Sequence, residues 1–121
     1  MQNFLPSPKS LQNLKKFIST EHSNKLTSVP DFNLPNLRLS NISKNKLISI
    51  PNFNLPNLQL LNISCNKLTS IPNFNLPNLQ KLYASYNNIS EISLSILNCH
   101  FLELLQYDNN TIEMPEVILR F

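Results

Sequence analysis

Residues 24–86 are one 21-residue segment written three times: NKLTSVPDFNLPNLRLSNISK, NKLISIPNFNLPNLQLLNISC and NKLTSIPNFNLPNLQKLYASY. Asn24, Asn45 and Asn66 open the copies, and Asn87 opens the next. A fixed period of roughly 20–29 residues, with Leu or Ile at set offsets and Asn at a constant place, marks a repeat architecture. In such a chain each unit buries its apolar face against its neighbours. Amphipathic helices do not fit this stretch, because Pro30, Pro35, Pro51, Pro56, Pro72 and Pro77 would interrupt them every few residues.

The buried skeleton reads Leu58-x-x-Leu61-x-Ile63-x-x-Asn66-x-Leu68-x-x-Ile71, then Leu79-x-x-Leu82-x-Ala84-x-x-Asn87-x-Ile89-x-x-Ile92. This pattern resembles the leucine-rich-repeat family over residues 24–112. The resemblance implies an α/β solenoid, an arc with short parallel strands on its concave face. Its convex side would be extended and proline-rich, and a helix would cap its N-terminal end. Physical chemistry supports the pattern. Leu61 and Ile63, two apart in a strand, point to one face, so Leu60, Asn62 and Ser64 point to the other. Where each strand ends, inward-facing backbone groups lack a ladder partner, and a buried amide can satisfy them. Asn24, Asn45, Asn66, Asn87 and Asn110 are therefore read as a structural asparagine ladder, with stacked copies able to bond to one another.

The return path, typified by SIPNFNLPNL, carries two prolines that favour extended or polyproline geometry. Phe32, Phe53 and Phe74 recur at one offset and are expected to stack beneath it. Short proline-rich convex segments are similar to those of the bacterial class of leucine-rich repeats found in secreted effectors.

Residues 1–23 are read as an N-terminal capping region with a helix over 7–19. Ser7 or Ser10 would cap it, and Leu11, Leu14, Phe17 and Ile18 fall on one face. Units open at 24, 45, 66 and 87, with a last partial unit from 110. Unit one has Ser40 where Leu61 and Leu82 stand, so LRLSNIS is a candidate for a register shift. Unit four loses both prolines, spaces Asn87 and Asn110 by 23 residues, and is expected to form a helical turn between Leu94 and His100. Residues 113–121 form either a C-terminal cap or a truncated end.

No run of 18 apolar residues occurs, so no membrane span is expected. The opening MQNFLPSPKSLQNLKKF lacks the apolar core of a secretory signal. Cys65 and Cys99 fall at opposite sides of the expected solenoid, too far apart to bridge, which suits a reducing compartment such as the cytosol. The sequons at Asn41, Asn62, Asn88 and Asn109 then read as by-products of an Asn-rich chain.

No catalytic set emerges. His22 and His100 lie far apart, and a chain without Gly has no glycine-rich phosphate loop. Ligases of the effector class carry a separate Cys-x-Asp domain, whereas Cys99 here precedes His100 and Phe101. The chain is read as a non-enzyme with no cofactor and no metal.

Two surface features remain. Lys25, Lys46 and Lys67 form a lysine strip that is either a solvated turn or a site for phosphate-bearing partners; nucleic acid is not the expected one. The outward columns are Leu39/Leu60/Lys81/Leu104, Asn41/Asn62/Tyr83/Gln106, Ser43/Ser64/Ser85/Asp108 and Lys44/Cys65/Tyr86/Asn109. Exposed Leu beside Tyr is the composition of a protein-binding patch. The expected contact surface is Leu60, Lys81, Tyr83, Tyr86, Leu104, Gln106 and Asp108, on a monomer. The resemblance suggests a bacterial effector translocated into a host cell, with a eukaryotic host protein as its partner. The alternative is a structural repeat cassette whose activity lies elsewhere.

Overall fold

The computed structural model describes residues 16–18, 26–31 and 34–111. Seven short strands occur in it: β1 (Lys16–Ile18), β2 (Leu39–Asn41), β3 (Leu60–Asn62), β4 (Ser70–Ile71), β5 (Lys81–Tyr83), β6 (Glu91–Ile92) and β7 (Leu104–Gln106). Five of them form a parallel sheet in the order β1-β2-β3-β5-β7. Parallel neighbours need a crossover of roughly a dozen residues or more, and each repeat supplies one. One strand per unit is thus added in unbroken register, Leu39 beside Leu60 beside Lys81 beside Leu104. Ser40 sits opposite Leu61 and is buried, so the unusual first unit keeps its register.

The ladder continues past each strand. Ile42 donates its N–H to the Asn62 carbonyl at 2.9 Å, and Lys44 to that of Ser64 at 3.0 Å; Ile63 and Cys65 bond likewise to Tyr83 and Ser85. It stops because Lys44, Cys65, Tyr86 and Asn109 each adopt a left-handed conformation, with φ between 57° and 59°. That reversal turns the next residue, the repeat asparagine, inward. Asn66 Oδ1 accepts the Leu47 N–H at 3.1 Å, while its Nδ2 donates to the carbonyls of Ile42, Ile63 and Ser64. Asn87 repeats this with Leu68, Ile63, Ala84 and Ser85, and Asn110 with Ile89, Ala84, Tyr107 and Asp108. Asn45 accepts from Leu26 and donates to Ile42 and Ser43. The side chains of Asn66, Asn87 and Asn110 thus bond to backbone groups of their own and the adjacent unit, which ties neighbouring units together. Asn24 lies outside the described residues.

Left-handed backbone costs an L-residue about 1–2 kcal/mol, and glycine escapes it. Cys65→Gly is therefore expected to raise stability by about 0.5–1 kcal/mol, after glycine's greater unfolded-state entropy is subtracted. Cys65→Val, β-branched, is expected to lose more than about 1 kcal/mol. Urea-unfolding midpoints of the two variants decide it, and a lower midpoint for Cys65→Gly would contradict the reading.

The return side is part extended and part turn. β4 pairs with β6 in parallel, and Asn54 bridges Asn75. Each Leu-Pro-Asn-Leu then closes a tight turn, with Leu37 donating to Leu34 O, Leu58 to Leu55 O and Leu79 to Leu76 O. Proline is preset for the second position of such a turn, so the second proline bends the chain where an extended path was expected. A second run of asparagine contacts stitches this side. Asn57 donates to Pro35 O, Asn78 to Pro56 O, and Asn75 Nδ2 to Asn54 Oδ1. Phe53 and Phe74 stack with ring centroids 6.0 Å apart, as the spacing predicts; Phe32 lies outside the described residues.

Between the two sides lies the core, in which Leu37, Leu47, Leu58, Leu61, Ile63, Leu68, Leu79, Leu82 and Ile89 are fully buried. In unit four the chain turns through a 3₁₀ helix, Leu94–Asn98, capped by Ser93, whose Oγ accepts the Ser95 N–H at 3.2 Å. Ser93 and Asn98 stand where Pro72 and Pro77 stood one unit earlier. Losing both prolines frees this segment for helical hydrogen bonds, as expected. Ile96 and Cys99 enter the core here, and Ser95 Oγ is buried without a hydrogen-bond partner.

The helix expected over 7–19 is corrected where it can be seen: Lys16–Ile18 is a strand, in register with Leu39, Ser40 and Asn41. The β2 edge offers a row of unpaired N–H and C=O groups. Pairing with it, together with the strand preference of Phe and Ile, outweighs the helical spacing. The rest of the expected helix, and the C-terminal residues from 112, lie outside the described residues. Among the described residues no helix is long and apolar enough to cross a membrane.

Candidate functional site

In β2, β3 and β5 the middle residue turns inward, Ser40, Leu61 and Leu82 being buried, and Leu105 of β7 packs partly buried against the core. The flanking residues share the opposite face. Adjacent strands lie about 4.8 Å apart, so residues in register form closely stacked columns. The columns counted from the sequence are those of the sheet: Leu39/Leu60/Lys81/Leu104 and Asn41/Asn62/Tyr83/Gln106. Lys81 and Gln106 are exposed, while Leu60, Leu104 and Tyr83 are half-buried.

The scaffold uses some of these side chains and not others. Asn41 Oδ1 accepts both the N–H and the Oγ–H of Ser43, and Asn62 Oδ1 accepts the Ser64 N–H. Such bonds from Asn to backbone two residues on fix the exit of the strand. Tyr83 and Gln106, in the same column, carry no side-chain hydrogen bond among the described residues. Tyr86 stands out of the surface, 59% exposed, on its left-handed turn.

The serine column shares the side of Asn41 and Asp108 but is largely covered there. Ser43 and Ser85 are buried and Ser64 is half-buried, because Asn41 and Asp108 draw Ser43 and Ser85 into hydrogen bonds along the strand exits. Asp108 itself is exposed. Its carboxylate accepts from Ser85 Oγ and from Asn109 Nδ2, and the Ser85 bond in particular holds its pKa below the ordinary carboxylate value. A pKa lowered by folding stabilises the fold above the unfolded value, and that contribution is lost as pH falls through the folded one. Asp108→Asn is accordingly expected to flatten the fall in melting temperature below about pH 4. Parallel melting profiles for wild type and variant would overturn it.

At the other end of the strands an open groove of about 350 Å³ crosses four of them. Leu39 and Leu60 form its floor, with Lys16, Arg38 and Lys81 around them and Gln59 and Gln80 along one side. Of these, the expected contact surface contained only Leu60 and Lys81. The sequence spacing puts Lys16 on a helix, and the column Arg38/Gln59/Gln80, one residue before the strands, lies outside the expected surface. Aligning the position just before each strand would have exposed it.

The other sequence candidates do not converge on this face. Cys65 is exposed and Cys99 buried, both as free thiols, and burial pushes the Cys99 pKa up. Lys46 and Lys67 are exposed beside the strand exits, and His100 is exposed. Lys25 and His22 lie outside the described residues. Among the described residues no three His, Cys, Asp or Glu side chains come together. No protein-family model, no curated protein and no solved structure matches this chain.

Proposed function

We propose that this chain is a leucine-rich-repeat solenoid that binds a protein partner on the outward face of its five-stranded sheet, without catalysis. The observation that carries the reading is the contrast within one column. Asn41 and Asn62 spend their side chains on the scaffold, whereas Tyr83 and Gln106 do not. Half-buried Leu60 and Leu104, and exposed Tyr86, lie beside them. Aromatic residues on a rigid surface bury large area at low entropy cost, which is what a recognition surface needs. Support for the repeat family comes from the 21-residue period, the unbroken strand register and the buried asparagines. Action as an effector inside a host cell rests on the resemblance of the repeat class alone.

The test is affinity capture from eukaryotic cell lysate with wild type and with Tyr83→Ala/Tyr86→Ala. A host protein held by wild type and lost by the folded variant supports the reading and identifies the partner. Equal retention by both moves the site off the tyrosines, and a repeat cassette serving another domain becomes the better account.

A further inference from the structure

Charge is distributed unevenly over the outward face. Lys16, Arg38 and Lys81 border the groove over β1 to β5, and among the described residues no carboxylate pairs with any of them. Among the described residues the acids of the face, Glu103 and Asp108, flank the strand β7. Between the cations the floor is apolar, formed by the neighbouring Leu39 and Leu60.

Lys16, Leu39, Leu60 and Lys81 occupy one register position on four consecutive strands. Three strand spacings of about 4.8 Å separate the two lysines, roughly 14 Å in all. An extended peptide advances about 3.4 Å per residue and turns alternate side chains to the same side. Four residues therefore span the same distance, with the first, third and fifth side chains facing the groove.

We infer that the groove holds an extended segment of the partner protein with the pattern acidic-x-apolar-x-acidic. The inference rests on the proposed reading of this face as the partner surface. The two carboxylates meet Lys16 and Lys81, and Arg38 lies alongside. The central apolar side chain covers Leu39 and Leu60. Charge complementarity fixes the sign of the partner, and strand spacing fixes the interval between its acids. A bidentate guanidinium–carboxylate contact at Arg38 would add orientation.

The experiment titrates the full chain with the probe peptide acetyl-Ser-Asp-Gln-Leu-Gln-Asp-Ser-amide, following the amide resonances of Leu39 and Leu60. Comparison peptides replace both Asp by Asn, replace Leu by Ser, or move the second Asp one position inward. The expected result is binding by the first peptide that weakens about threefold or more with each cation removed, in Arg38→Gln and Lys81→Gln, and with added salt. Each comparison peptide is expected to bind more weakly than the probe. Melting curves establish that the variants, all at exposed positions, remain folded. No shift at Leu39 and Leu60 with the probe, equal binding of the Asn peptide, or indifference to Arg38→Gln and Lys81→Gln overturns the inference. The two readings fail separately. A lysate partner lost by Tyr83→Ala/Tyr86→Ala but retained by Arg38→Gln/Lys81→Gln removes the acidic-segment inference and leaves the partner face standing.

Discussion

Asn66→Ala is expected to destabilise the fold by about 3 kcal/mol or more, a large fraction of the stability of a domain this size. The side chain is 8% exposed and satisfies four backbone groups at once. Alanine leaves the Leu47 N–H without its acceptor and removes the donor shared by the Ile42, Ile63 and Ser64 carbonyls, and Ile42, Leu47 and Ile63 are themselves buried. Each buried group left unsatisfied costs about 1–3 kcal/mol, partly relieved where water can enter. Asn66→Asp keeps the acceptor but turns a carboxylate towards three carbonyls, so it is expected to be no better than alanine. Asn54→Ala serves as the control. It removes an exposed amide contact to Asn75 on the return side and should stay within about 1 kcal/mol. Urea unfolding of the three variants measures the order. If Asn66→Ala and Asn54→Ala cost the same, the buried ladder does not hold the units together.

The asparagines were legible because an amide repeating at fixed spacing in an otherwise apolar stripe has few physical uses. The register was legible for a similar reason: three near-identical copies leave one way to superpose Leu60 on Lys81 or Asn62 on Tyr83. What lay beyond reading was set by contacts between units. Leu11, Leu14, Phe17 and Ile18 are spaced as on a helix face, yet Leu58-x-x-Leu61 has the same three-residue step where a turn runs into a strand. Spacing alone does not separate the two, and the β2 edge decides for Lys16–Ile18. The left-handed turn was hidden because Lys44, Cys65, Tyr86 and Asn109 share a backbone conformation and no chemistry.

The candidate site divides along the same line. Tyr83, Tyr86, Leu104 and Gln106 could be assigned to the outward face by counting, since each follows from the inward position of Leu82 or Leu105. The groove could not. It needs β1 paired with β2 to bring Lys16 into line with Leu39, and it uses Arg38, a residue before the strand whose side chain no periodicity directs. Counting places Ser43 and Ser85 in their column but does not reveal their burial, because strand alternation takes no account of side-chain acceptors nearby. Asn41 and Asp108 decide where those hydroxyls go.

Phe53→Ala is expected to cost about 3–5 kcal/mol, the range for deleting a buried aromatic side chain. Phe53 is 1% exposed and stacked on Phe74, 6.0 Å away between centroids. Its own backbone is tied across to the next unit, with Leu55 donating to Asn75 O and Asn75 to Phe53 O. The ring therefore fills the space beneath a bridge that main-chain bonds hold in place, and the surroundings have little freedom to close over a cavity. Cavity cost rises with the volume that fails to collapse, which puts this site in the upper part of the range. Phe53→Leu retains most of the volume and is expected to lose under about 1.5 kcal/mol, apart from the stacking contribution of about 0.5–1.5 kcal/mol. Phe101→Ala, at a residue 61% exposed, should stay within about 0.5 kcal/mol. Calorimetric melting of the three variants gives the comparison. A Phe53→Ala protein as stable as Phe101→Ala would mean that the return side is held by its asparagine and turn hydrogen bonds alone, with the aromatic stack merely occupying the space between them.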